Sequence, residues 1–181
     1  MKSRFFHVFF ILICLFSALV FAEEESFEKI KMRAEDGNAP AQFKLGIMYF
    51  KGQEVTQNYR EALKWFQRAA EQKLPEAQYN TGLMYYEGKG VSQNFTEALK
   101  WFGKAANQNN AKAQYNLGVM FSLGEGMPPD YIKAYAWLSL AYSNGFEPAK
   151  NNILLLDKVM TASDMEKAAA QTAEIKKGLK K

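Results

Sequence analysis

Cysteine and histidine are nearly missing from this chain of 181 residues, which has one of each. Both Cys14 and His7 fall within the first 22 residues, so the rest of the chain has neither a thiol nor an imidazole. This excludes Ser-His and Cys-His nucleophilic systems, disulfides and the usual zinc sites from that part. Phosphate-loop and dinucleotide motifs are also missing, since Gly88-Lys89-Gly90 lacks the required spacing and a preceding strand. We therefore predict no catalytic residue, no metal and no cofactor.

The beginning of the chain has the pattern of a secretory signal peptide. Lys2 and Arg4 precede an almost wholly apolar run at residues 5–21, and three glutamates follow Ala22. This pattern predicts cleavage after Ala22 and a mature chain that is periplasmic or secreted. The alternative is an uncleaved membrane anchor, because the run is close to the shortest length that spans a bilayer.

The charge of the chain is nearly balanced once its two ends are set apart. The net charge is +4, and without Lys2 and Arg4 the chain has 21 basic against 19 acidic residues. Four of these basic residues are at the C-terminus: Lys176, Lys177, Lys180 and Lys181. The body of the chain therefore has no basic excess for nucleic acid. We expect membrane contact only through an uncleaved signal segment or the lysine tail.

A period of 36 residues runs through most of the chain. Three residue types keep this step: Gly46, Gly82 and Gly118; Trp65, Trp101 and Trp137; and Ala41, Ala77, Ala113 and Ala149. A period of this length is typical of stacked helical repeats, in which each unit buries its apolar face only against its neighbours. The pattern favours a binding surface over a reaction centre.

Each repeat reads as two antiparallel helices, in units at residues 39–74, 75–110 and 111–146. Asn58, Asn94 and Asp130 are predicted N-caps of the second helices, and Glu61 and Glu97 complete capping boxes. The repeated glycine should let the two helices approach closely, with the tryptophan filling the gap beside it. We expect Trp101 to be buried and to contact both neighbouring units.

The loops between paired helices contain two glycines in the second and third repeats. Gly88-Lys89-Gly90 and Gly124-Glu125-Gly126 can adopt left-handed backbone conformations at both glycines. The first repeat has Gly52-Gln53-Glu54 instead. We expect this loop to be strained or differently shaped.

These motifs resemble the Sel-one-like repeat (SLR) family, an α/α-solenoid relative of tetratricopeptide repeat (TPR) proteins. The resemblance rests on Ala-Gln-Tyr-Asn-Thr-Gly-Leu-Met-Tyr-Tyr-Glu-Gly-Lys-Gly-Val at 77–91 and on Glu-Ala-Leu-Lys-Trp-Phe at 97–102. It implies an all-α, right-handed α/α-solenoid with a capping helix at 23–38, and a degenerate repeat with a C-terminal capping helix at 147–181. It also implies an exported scaffold or adaptor that binds proteins or peptides, in envelope signalling or host contact.

In TPR-like stacks the first helices line the concave side, and helical stepping selects the residues that face it. The predicted partner-binding residues are Phe43, Ile47, Phe50, Tyr79, Leu83, Tyr86, Tyr115 and Val119. These side chains suit an apolar segment or an amphipathic helix, and the stripe lacks the Lys and Asn that some TPR proteins use to clamp a terminal carboxylate. The alternative is that these side chains only pack against adjacent helices and stiffen the solenoid.

A second class of function stays open beside the adaptor. Carboxylates such as Glu87 and Glu125 remain in the chain, and paired carboxylates hydrolyse glycosides. Nothing in the sequence places two of them face to face. A cell-envelope protein that binds or hydrolyses glycans is therefore the alternative hypothesis.

The signal-peptide pattern predicts a processed N-terminus. N-terminal sequencing of the protein from fractionated cells should find a chain that begins at Glu23 outside the cytoplasm. A chain that begins at Met1 in the membrane fraction would support the anchor instead.

Overall fold

The computed structural model describes residues 26–179. The predicted signal peptide, with its cleavage site after Ala22, lies outside the described residues, as do residues 23–25 and the last two lysines. The described part contains nine helices and no strand, and none of its helices has the length and apolarity needed to cross a membrane. In chain order the helices are α1 Phe27–Glu35, α2 Ala39–Lys51, α3 Tyr59–Glu71, α4 Pro75–Glu87, α5 Phe95–Ala106, α6 Ala111–Leu123, α7 Tyr131–Ser143, α8 Ala149–Leu156 and α9 Ala162–Leu179.

Six of these helices form three antiparallel pairs that follow the 36-residue step. We call α2, α4 and α6 the A helices and α3, α5 and α7 the B helices. Each A helix packs against its own B helix and against the helix that precedes it in the chain. Helix α1 takes the place of a preceding B helix for α2, and Ile30 is buried there as Phe66 is 36 residues later. The predicted all-α solenoid is confirmed.

The repeated glycine is the point where the paired helices meet most closely. A Cβ atom placed on Gly82 would lie 2.6 Å from Cδ1 of Phe102, and one on Gly46 would lie at the same distance from Phe66. In the third repeat, Gly118 meets Leu138 in the same way. The side chain that fills this space is therefore the residue after the tryptophan, whereas the sequence predicted the tryptophan itself.

The tryptophans lie between repeats. The side chains of Trp65 and Trp101 are 5% and 6% exposed. The buried cluster that contains Trp101 also holds Ala69 and Ala70 of the first repeat and Ala77 of the second. The burial predicted for Trp101 is confirmed, but this cluster joins it to the preceding repeat and includes no residue of the third.

The predicted N-caps are present. The side-chain oxygen of Asn58 accepts the backbone N–H of Glu61 at 3.1 Å, and that of Asn94 accepts the N–H of Glu97 at 3.0 Å. Asp130 accepts the N–H of Lys133 at 2.9 Å. Each bond satisfies one of the backbone donors that a helix start leaves without a partner.

The reciprocal half of the predicted capping boxes is wrong. The backbone N–H of Asn94 donates to the carbonyl of Tyr85 at 2.9 Å, at the end of the paired A helix. Glu97 instead pairs with Lys100, with Nζ and Oε1 3.3 Å apart. The first repeat has the same arrangement. The cap residue therefore connects the two helices of a pair, which local spacing along the chain does not show.

The loop of the first repeat keeps the shape of the others at the cost of strain. Glu54 has a φ of 59°, in the left-handed region where Gly90 has 74°. A non-glycine residue there is uncommon because its Cβ is crowded. A Cβ on Gly90 would lie 2.5 Å from the carbonyl oxygen of Tyr59, at the start of α3. Of the two outcomes expected for this loop, the structure has the strained one.

The C-terminal part departs from the repeat. Helix α8 packs on α7 through Ala149 and Leu156, which are buried in one cluster with Leu138. Helix α9 also packs along α7, with Ala168 buried. The last two helices therefore share α7 as their support and do not form a fourth antiparallel pair.

The burial of Trp101 gives a stability prediction. Trp101→Ala should lower the free energy of unfolding by about 3–5 kcal/mol, as large-to-small changes in a core do. Trp137→Ala is the matched control, because Trp137 is only partly buried, and it should cost less. Denaturant unfolding measures both losses, and equal losses would show that the deeper burial of Trp101 adds no stability over that of Trp137.

Gly82 and Gly103, the two glycines inside helices of the second repeat, give a pair of opposite predictions. Gly82→Ala should destabilise by about 1–3 kcal/mol, because its new methyl group overlaps the ring of Phe102. Gly103→Ala should stabilise by about 0.5–1 kcal/mol, because Gly103 lies inside α5 with no atom within 4 Å of its Cβ position. Thermal melts of both variants test the close approach, and a neutral Gly82→Ala would show that the helices separate easily.

Candidate functional site

A groove lies along the A helices near their N-terminal ends. It has a volume of about 480 Å³. Its walls come from α2, α4 and α6 and from the end of α7, so that it spans all three repeats. We call it the A-helix groove, and it is lined by Phe43, Glu76, Tyr79, Asn80, Asn110, Ala111, Lys112, Asn144, Gly145 and Phe146.

One repeat position has an aromatic residue in all three repeats, and we call these residues the aromatic row. Two of them line the A-helix groove, and the third packs against Phe146, which also lines it. Phe43, Tyr79 and Tyr115 are 36 residues apart and all are half-buried. Each ring rests on a second ring: Phe43 on Phe66 at 5.6 Å between centroids, Tyr79 on Phe102 at 5.8 Å, and Tyr115 on Phe146 at 4.9 Å. These rings are held in place on one side and accessible on the other.

Tyr79 has a polar environment as well as an aromatic one. Burial raises the pKa of its hydroxyl above the usual value, while a side-chain hydrogen bond with Asn116 acts in the opposite direction. Asn116 and Asn80 occupy the same repeat position. The phenol therefore stays neutral near pH 7 and offers a hydrogen-bonding group beside the ring.

The other predicted site residues lie apart from the lining of this groove. Ile47, Leu83 and Val119 are half-buried and pack against the clusters that join their own B helix to the helix that follows it. The alternative of a purely stiffening role, weighed for the whole stripe, fits these three side chains better than the aromatic row.

Phe50 and Tyr86 are covered by the loop of the following repeat. The Nζ of Lys89 lies 5.2 Å from the centroid of Phe50, and the hydroxyl of Tyr86 donates to Oε1 of Glu125 at 3.1 Å. Burial raises the pKa of Tyr86, and the hydrogen bond and charge of Glu125 raise it further. The predicted stripe thus divides into a groove at one end and loop-covered aromatics at the other.

Sequence reasoning missed the polar rim of the groove. The predicted stripe lacks the Lys and Asn that clamp a terminal carboxylate in some TPR proteins, but Asn80, Asn110, Asn144 and Lys112 line the groove beside it, together with Glu76. The signal for part of this rim was present, since asparagine recurs at the 36-residue step in positions 80 and 116.

A set of buried glutamines fixes the walls of the groove. Gln42, Gln78 and Gln114 are at most 5% exposed, and each Nε2 donates at 3.1 Å to a carbonyl in the last turn of the preceding helix. Each Oε1 accepts an amide N–H from the end of its own B helix: from Gln72 at 2.8 Å, Gln108 at 2.7 Å and Asn144 at 2.8 Å. One side chain therefore joins three helices, and we call this set the glutamine ladder.

The carboxylates considered for glycoside hydrolysis are engaged elsewhere. Oε2 of Glu87 lies 2.7 Å from Nζ of Lys89, and Glu125 accepts from Tyr86. Within residues 26–179 no group of three or more Asp, Glu, His or Cys side chains is placed to hold a metal ion. Glu87 and Glu125 thus form an ion pair and a hydrogen bond with other residues of the repeats.

The antiparallel helix pairs stack at a constant step, and a groove crosses the A helices. This architecture is a helical repeat solenoid of the kind that serves protein interaction. The Sel1 repeat model matches residues 39–74, 75–110 and 111–146, which is more than half of the chain. The chain therefore belongs to the Sel1 repeat family, as the motifs predicted.

Solved structures show the same architecture. A Sel1 repeat protein from Oxalobacter formigenes matches with a TM-score of 0.64 and 40% identity, over 66% of this chain and 49% of that one. A protective antigen present in uropathogenic Escherichia coli, displaying an SLR fold, matches with a TM-score of 0.65 and 26% identity, over 90% of this chain and 43% of that one. This chain therefore spans less than half of one of these proteins and about half of the other.

A curated relative matches over a short stretch. The secretory immunoglobulin A-binding protein EsiB of Escherichia coli O6:H1 (strain CFT073) is 48% identical over 42 residues, 23% of this chain and 9% of that protein. The match covers little more than one repeat and supports membership of the family rather than a shared partner.

Proposed function

We propose that this protein is an exported, non-catalytic adaptor whose A-helix groove binds a peptide segment of a protein partner. The observation that carries the proposal is a preformed groove with an aromatic floor and an amide-rich rim. Sel1 repeat proteins are generally protein-interaction scaffolds, and a groove of this volume is within the range of ligand sites.

The groove favours an extended segment with one or two apolar side chains. Phe43, Tyr79 and Phe146 offer an apolar floor, on which an aromatic or aliphatic side chain of the partner can rest. At the rim, Nδ2 of Asn80 donates to the carbonyl of Glu76 and Oδ1 of Asn110 accepts the N–H of Ala113, so Oδ1 of Asn80 and Nδ2 of Asn110 are the atoms that can pair with a peptide backbone. Glu76 and Lys112 add one charge of each sign, so that the groove selects neither a strongly acidic nor a strongly basic partner.

Export is part of the proposal and rests on the signal-peptide pattern of the first 22 residues. Two of the similar proteins have names that concern the outside of the cell, a secretory immunoglobulin A-binding protein and a protective antigen. A periplasmic or secreted adaptor in envelope signalling or host contact fits both lines of support.

The aromatic row gives the first test of the groove. Tyr79→Ala combined with Tyr115→Ala should weaken capture of the partner from an envelope extract, because interface energy concentrates in central aromatics at roughly 2 kcal/mol or more per residue. The double variant should lower the melting temperature less than Trp101→Ala, since both rings are only half-buried. Mass spectrometry compares the captured proteins with those of the wild type.

A charge change at the rim provides a variant that leaves the core intact. Lys112 is exposed and lines the groove, so Lys112→Glu should reduce capture without loss of stability. Lys176→Glu on α9 is the matched control and should leave capture unchanged. If the tyrosine and Lys112 variants all capture the partner normally, the binding surface lies elsewhere, such as on the loops around Gly88 and Gly124. Retention on isolated envelope glycan instead of protein would favour the glycan alternative.

A further inference from the structure

Helix α8 occupies the place of a fourth A helix but lacks a B helix beside it. In the complete repeats, the B helix lays Phe66, Phe102 or Leu138 on the glycine of its A helix. The position equivalent to that glycine in α8 is Leu154. Because α9 packs along α7, no helix within residues 26–179 covers the side of α8 that would receive a B helix.

The open side of α8 is apolar and exposed. Leu154, Leu155 and Val159 are 50%, 61% and 63% exposed, whereas Ala149 and Leu156 on the other side are buried against α7. Single exposed apolar side chains are ordinary, but Leu154 and Leu155 on α8 lie close in the chain to Val159 in the turn that follows it, and together they form a patch that indicates an interaction site. We call these three residues the α8 patch.

The edges of the α8 patch are basic. Lys150 lies one helical turn before Leu154 on α8, Lys158 lies in the turn that follows α8, and both are exposed. Among residues 26–179, neither ammonium group has an ion-pair partner. Asp157, the residue before Lys158, acts on Tyr135 of α7: burial raises the pKa of this tyrosine, and the charge and hydrogen bond of Asp157 raise it further. Glu147 lies three residues before Lys150 but forms no ion pair with it within residues 26–179.

We propose that the α8 patch docks an amphipathic helix of a partner protein, with Asp or Glu on both sides of its apolar stripe. This helix would lie on the side of α8 that a fourth B helix would cover, but farther from α8 than a B helix lies from its A helix, because Leu154 stands where the repeats have glycine. A second copy of this chain fits less well. If two α8 helices paired in antiparallel fashion about Leu154, Lys150 of each would lie near the turn that carries Lys158 of the other, and like charges repel.

The proposal is tested with two synthetic helical peptides that have the same leucine stripe, flanked in one by glutamate and in the other by lysine. Fluorescence anisotropy with the full chain should show the glutamate peptide binding roughly fivefold or more tightly, as expected for two exposed ion pairs against two repulsions. Lys150→Glu with Lys158→Glu should reverse this preference. A reversal cannot arise from misfolding, so it remains decisive if the variant is less stable.

Two controls separate the α8 patch from other surfaces. Leu154→Ala with Leu155→Ala should abolish binding of the glutamate peptide, whereas Leu123→Ala, at another exposed leucine, should not. Tyr79→Ala with Tyr115→Ala should also leave it intact, so failure of the groove would not affect this result. Equal binding of both peptides, or no binding of either, would overturn the proposal. It would also be overturned by a concentration-dependent dimer in sedimentation that Leu154→Glu disrupts, because the second copy would then be the occupant.

Discussion

The contact between a glycine on each A helix and a large side chain on each B helix sets the spacing on which the rest of the structure depends. At Gly82 the ring of Phe102 occupies the space that any side chain would need. This close approach brings the start of the A helix near the end of its B helix. Gln78 can therefore reach Gln108 on one side and the carbonyl of Ala70 on the other.

The glutamine ladder holds the helices at this spacing and thereby fixes the walls of the A-helix groove. Gln114 binds the side chain of Asn144, and Asn144 also lines the A-helix groove. Phe102 similarly lies under both Gly82 and the ring of Tyr79. Because the groove walls are fixed by interactions that also hold the repeats together, few side chains must be ordered on binding, which favours affinity. Tyr79 and Tyr115 are only half-exposed because one side of each ring packs against residues that hold the repeats together.

Much of the fold could be predicted from the sequence because its causes are periodic. The 36-residue step, the asparagine caps and the need for a glycine between helices all act within one repeat. Interactions between repeats were harder to predict. That Phe102 and not Trp101 meets Gly82 depends on the rotation of α5, and neighbouring residues on a helix differ by about 100°. The covering of Tyr86 by Glu125 depends on a loop 39 residues further along the chain.

At both ends of the described solenoid, a residue other than glycine stands at a position where the other repeats have glycine. Gly90 must be glycine because the loop lies on the start of α3, where a Cβ would touch Tyr59. In the first repeat the residue that corresponds to Tyr59 lies outside residues 26–179, and the equivalent of Gly90 is Glu54. Its strained backbone is offset by a hydrogen bond, in which Oε2 accepts the N–H of Phe27 at 3.2 Å. That bond satisfies a free donor at the start of α1.

At the other end Leu154 replaces the glycine that every complete repeat uses to receive its B helix. A leucine there blocks the close approach of a helix that carries a ring, so the stack cannot continue in the same geometry. A partner helix on α8 must therefore pack beside Leu154 at a greater distance from α8 than a B helix keeps from its A helix. The substitution that ends the solenoid thus also limits which helices fit against it.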